Sequence, residues 1–136
     1  AADNANAKSK VALALSIVIR AAEAMTGGGT PFEAGTFAHE QRVPIRLLNG
    51  MVRLLVRSGI LIETAGKENC FVLLKSPDAI FVKDVVDTVI QDGAKPEALG
   101  LTNLPAPVTG VLAKMESGLS GLLDSITIQD LLKKDG

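Results

Sequence analysis

A mainly α-helical fold with one small β-hairpin, a winged helix-turn-helix plus a C-terminal helical extension, is predicted by three observations within residues 30–74 of this 136-residue chain. Leu48, Met51, Val52 and Leu55 recur at i, i+3, i+4 and i+7, the spacing that lines apolar side chains along one face of an α-helix. A shorter helical stretch stands before them, separated by Gln41, Arg42 and Val43, a turn like the one between the paired helices of DNA-binding proteins. Gly59 then supplies a left-handed cap, and the period changes at once to the β-branched run Ile60-Leu61-Ile62-Glu63-Thr64 and on to Cys70-Phe71-Val72-Leu73-Leu74.

Taken in order, residues 1–7 are small and polar and read as a frayed end or linker. A first helix is expected over about 8–25, with Val11, Leu15, Val18, Ile19 and Ala22 toward the core. Lys8 and Lys10 ahead of the apolar run 11–19 have the outline of a signal peptide, but Arg20 and Glu23 continue the helical period, and a buried first helix is the better reading. Gly27-Gly28-Gly29 stops it. No Gly-Lys-Ser/Thr follows, so the glycines are a loop and not a phosphate cradle. Thr30-Pro31-Phe32-Glu33 has the form of a capping box and opens a second helix that ends near His39 or Glu40.

Pro44 can open the third helix, because the first helical position has no use for an N–H. The hairpin turns through residues 65–69, with Gly66 at positive φ. Ser76-Pro77-Asp78 introduces a fourth helix, in which Val82, Val85, Val86, Val89 and Ile90 keep helical spacing while Lys83, Asp84 and Asp87 face water. Residues 94–107 have no clear period and read as a linker between a winged-helix domain (1–93) and a helical extension (108–136). In that extension Val108, Val111, Leu112, Met115, Leu119 and Leu122 or Leu123 trace a second amphipathic helix, which Gly118 and Gly121 weaken by about 1 kcal/mol each. A helix of that length is marginal alone in water. Leu112, Met115 and Leu119 are therefore expected to dock on the chain itself or on a second copy, the latter giving a homodimer. A capped turn over 127–132 closes the chain, and Ile126-x-Ile128-x-Asp130-Leu131-Leu132 echoes Ile80-x-Val82-x-Asp84-Val85-Val86.

Composition removes most chemistry. The 47% hydrophobic content supports a core, which must be aliphatic because the only aromatics are four Phe. A net charge of −1 gives no overall pull toward nucleic acid or an anionic membrane, so any such contact needs a local patch. One cysteine, Cys70, in an alternating apolar strand, permits neither an internal disulfide nor a metal site by itself. The one histidine, His39, lies beside Glu40 with no nucleophile held against it, and Asp84, Asp87, Asp124 and Asp130 have no metal-ligand spacing. No catalytic residue, metal, cofactor or small-molecule substrate is expected, and the chain is read as a non-enzyme.

The local patch lies on the third helix. Arg46, Asn49, Gly50, Arg53 and Arg57 follow the helical period opposite the apolar face, Arg42 precedes them, and Lys67 stands at the wing tip. Arg and Asn near the start of a recognition helix can pair with guanine and adenine in the major groove. Lys67 is flanked by Glu63 and Glu68, and Glu33 and Glu40 lie on the helix before, so few phosphate contacts remain to supply affinity. Ile45, Leu47, Leu54 and Val56 also widen the apolar arc. The face is accordingly read first as a solvated basic or protein-contact surface and second as a weak DNA-binding one.

Arg42-Val43-Pro44-Ile45-Arg46-Leu47-Leu48-Asn49, Leu54-Leu55-Val56-Arg57-Ser58-Gly59-Ile60-Leu61, Ser76-Pro77-Asp78 with Val82-x-Asp84-Val85, and the closing 126–132 together resemble the cytosolic C-terminal domain of the YihY/BrkB inner-membrane proteins, a bacterial family often labelled ribonuclease BN. That resemblance implies a non-catalytic winged-helix module on the cytoplasmic face of the inner membrane, with the membrane-embedded part of a longer chain as its partner. It would also explain a start at Ala1. The ribonuclease label carries no residue over to this sequence. The alternative resemblance is to soluble winged-helix transcriptional regulators that respond to iron–sulfur clusters or cysteine supply. Members that bind a cluster use several cysteines after the wing, where this chain has none, and their glycine-rich wing is replaced here by Ala65-Gly66-Lys67-Glu68-Asn69.

Overall fold

The computed structural model describes residues 5–27 and 31–133. In chain order these form α1 (Ala7–Met25), β1 (Phe32–Glu33), α2 (Ala34–Gln41), α3 (Ile45–Arg57), β2 (Leu61–Glu63), β3 (Cys70–Leu73), α4 (Val82–Ile90), α5 (Ala106–Leu123) and α6 (Ile128–Lys133). Short 3-10 turns at Pro77–Ala79 and Pro96–Leu99 precede α4 and α5. The fold is mainly helical with a small antiparallel sheet, as the sequence predicts.

Around α1, which touches α3, α4, α6 and the sheet, the core is assembled. Its buried side is Leu13, Ala14, Ile17, Val18, Ala21 and Ala22, whereas Val11 and Leu15 pack only at the margin. The expected face is thus turned by part of a turn. The run is apolar nearly all round, so periodicity cannot choose the side that four neighbours eventually cover.

The sheet holds three strands in the order β1-β3-β2, one more than the hairpin predicted. Phe32 pairs with Phe71 and Glu33 with Cys70, which takes the supposed capping-box residues out of α2 and into a strand. The Thr30 half of that box lies outside the described residues. Glu33 is itself the cap. Its carboxylate accepts the Gly35 N–H at 2.9 Å, the Thr36 N–H at 2.7 Å and the Thr36 hydroxyl at 2.6 Å. These donors favour the charged form, the Thr36 hydroxyl most, and hold the Glu33 carboxyl below its ordinary range. In the hairpin, Leu61 pairs with Leu73 facing the core, and Ile62 with Val72 facing out, the alternation a half-buried ribbon requires. Gly59 (φ 78°) and Gly66 (φ 85°) take the left-handed conformations that let α3 stop and the wing turn.

In α4, Val82, Val85, Val86 and Val89 are buried as expected, while Ile90 is exposed. The echoed segments around Val82 and Ile128 meet: Phe81 and Thr127 form an antiparallel bridge, the Val82 N–H reaches the Ile126 carbonyl at 2.8 Å, and the Ile128 N–H reaches Ile80 at 2.9 Å. Thr127 and Asp130 cap α6 reciprocally, and Ile128 is 0% exposed within the core. Helix α5 runs unbroken through Gly118 and Gly121 and buries no residue. Its polar tie to the body is Glu116, 3.1 Å from Lys83, whose ammonium also bonds Asp87. The two carboxylates, Asp87 first, raise the Lys83 pKa.

Candidate nucleic-acid interface

Helix α3 divides sharply by side. Leu48, Met51, Val52, Leu54 and Leu55 are buried, and Leu47 packs against them. Leu54, read from the sequence as surplus apolar surface, is therefore core; Ile45 (50% exposed) and Val56 stay outside. At about 100° per residue, the exposed arc itself has two edges. Ile45, Val56 and Asn49 lie within about 40° of one another, and Arg53, Arg46, Arg57 and Gly50 occupy roughly the next 60°.

Arg46 and Arg53 line one cleft of about 260 Å³, together with Gly50, Asp92 and, from the first turn of α1, Lys10. Arg57 borders it by approaching Asp92 at 4.0 Å. Arg42 sits apart at the corner before α3, where it closes α2 in the left-handed conformation (φ 55°, ψ 41°). Asn49 is on the other edge of the helix. Lys67 belongs to a separate depression on the wing, shared with Glu63 at the end of β2 and Glu68 of its own turn. Glu63 there accepts the Asn69 N–H at 3.0 Å, and Asn69 adds a second left-handed residue to the turn.

In the sequence, Lys10 is only the flank of an apolar run. Its place beside α3 depends on how two helices far apart in the chain cross, and no local signal carries that. Leu112 and Met115 are exposed on α5 (45% and 57%), and Leu119 is half-buried. Among the described residues no group of three His, Cys, Asp or Glu could hold a metal ion, and His39 and Cys70 lie on different elements, α2 and β3.

These features define a winged helix-turn-helix protein with an exposed basic third helix and a long, unburied helix near its C-terminus. Within that class the chain belongs to the Rrf2 family, described as iron-dependent transcriptional regulators, whose family model matches residues 7–134. The fold is shared with T. potens IscR, with a TM-score of 0.71 and 20% identity over 100% of this chain and 92% of that one. It is shared with CymR of Staphylococcus aureus, with a TM-score of 0.65 and 17% identity over 90% and 93% of the two chains. The structure described as CymR (YrzC), the global cysteine regulator of B. subtilis, gives 0.64 and 22% over 93% and 95%. No curated protein sequence matches the chain.

Membership of this family overturns the resemblance to YihY/BrkB proteins, and with it the ribonuclease BN label, the membrane-chain partner and the placement at the inner-membrane face. The residues that carried the resemblance are the corner, third helix, glycine cap and approach to α4, which any winged helix of this plan needs. They specify the fold more than the family. No helix among the described residues is long and apolar enough to cross a membrane. The family's iron also needs a donor set, and clusters are held chiefly by several cysteine thiolates. This chain has one cysteine and one histidine, so its residues do not fit a cysteine-ligated cluster.

Proposed function

We propose that this protein is a non-catalytic transcriptional regulator that binds duplex DNA as a homodimer, with α3 in the major groove. The observation that carries this reading is the exposed face of α3, where Arg46 and Arg53 have no ion-pair partner among the described residues although acidic side chains outnumber basic ones over the whole chain. Arg42 and Arg57 flank that face, Asn49 is positioned to read a base edge, and Lys67 brings a weaker, partly neutralised charge from the wing. The dimer is supported by α5, whose Leu112 and Met115 have no cover within one copy. A two-fold dimer would read two half-sites about 34 Å apart or a multiple of that.

Selection from a random duplex library tests the proposal. An enriched, two-fold symmetric site bound more tightly than about 10⁻⁷ M at physiological salt is expected. Enrichment of no sequence, with only the weak binding of roughly 10⁻⁴ to 10⁻⁶ M typical of non-specific contact, would return α3 to the role of a protein-contact surface.

A further inference from the structure

We propose that the cleft between the first turn of α1 and the basic edge of α3, lined by Lys10, Arg46 and Arg53 over the notch at Gly50, seats one phosphate of the DNA backbone. The Ile45/Asn49 edge is then left to read bases. This rests on the DNA-binding reading and assigns the residues within it.

Three observations converge on an anion. Lys10 is half-buried and, like Arg46 and Arg53, has no ion-pair partner among the described residues, while the one acid of the cleft among them, Asp92, faces Arg57. The first turns of α1 and α3 contain no acidic residue, and Lys10 and Arg46 stand near those positive helix ends. A cation there opposes the helix dipole, so the stability of neither helix explains it, and a bound anion would relieve both. The floor of the cleft is open because position 50 has no side chain: a Cβ built on Gly50 meets no atom within 4 Å. Glycine in mid-helix weakens α3, and the notch gives it a use, since a backbone phosphate can approach the helix there. Arg46, which the sequence alone suggests as a guanine reader, becomes a positioning contact that carries no sequence information.

The experiment measures affinity for a random-sequence duplex and for the selected site, each as a function of salt, with thermal melting as the folding control. Lys10→Ala and Arg46→Ala should weaken both duplexes by the same factor. Because the three cations share one phosphate, the triple variant Lys10→Ala/Arg46→Ala/Arg53→Ala should lower the slope of log K against log salt by about 0.9 in total. Gly50→Leu should melt no lower than the parent and bind every sequence at least about tenfold less tightly, on the order of one lost charge-assisted contact. An unchanged slope in the triple variant, a loss of about 1.8 or more that marks separate phosphates, parent-like binding by Gly50→Leu, or an Arg46→Ala defect confined to the selected site would each overturn the assignment. Inorganic phosphate shifting the Gly50 amide resonance while Gly50→Leu binds duplex normally would make the cleft a small-anion site and also overturn it. Absence of all duplex binding by the parent protein would remove the DNA-binding reading first, and this one with it.

Discussion

Glu33 joins two parts of the domain: its backbone pairs with Cys70 in the sheet and its carboxylate caps α2. The three donors hold its pKa below the ordinary value in the folded protein. A carboxyl depressed on folding stabilises above its unfolded pKa, and the contribution disappears as pH falls through the lower, folded value. Glu33→Ala should therefore cost about 1 kcal/mol at neutral pH, and the gap from the parent should close in acid. Urea unfolding at neutral pH and again below the usual carboxylate range measures both; a gap independent of pH would mean that the charged cap is not the source.

At the scale of elements, α5 and α6 are opposites although they are neighbours in sequence. Helix α6 is short, yet Ile128 is fully buried and its backbone bridges the strand-like entry to α4. Helix α5 is three times as long and buries nothing. Ile128→Ala should cost about 2–5 kcal/mol, the range for emptying a packed aliphatic site. In protein dilute enough to be monomeric, Leu122→Ala, at a position 74% exposed, should stay within about 0.5 kcal/mol. Denaturant midpoints of the two variants decide it, and equal losses would mean that α6 is not part of the cooperative core.

For the molecule as a whole, an exposed apolar stripe along eighteen helical residues is a large uncovered surface for a monomer. If two copies cover it, melting temperature must rise with protein concentration, because dimerisation adds stability by mass action. Met115→Glu places a charge in the middle of the stripe. It should yield monomers in sedimentation and lower affinity for the two-fold DNA site, with binding to a half-site less affected. A parent protein that sediments as a monomer at all concentrations would leave α5 for another partner.

What the sequence determined by itself was local. The spacing of Leu48, Met51, Val52 and Leu55, the glycines at 59 and 66, and the Thr127/Asp130 cap each express a preference of a few adjacent residues, and each stands where expected. The basic side of α3 was legible for the same reason, since 3.6-residue periodicity places Arg46, Arg53 and Arg57 together whatever surrounds them. Tertiary structure decided what depends on distant partners. It turned α1 to bury Leu13 and Ile17, drew Phe32 and Glu33 into the sheet beside β3, and folded Ile128 back against Ile80. It also brought Lys10 into the lining of one cleft with Arg46 and Gly50. Such placements follow from how apolar faces cover one another on a folded chain, and neither the pattern of α1 nor that of α3 contains them.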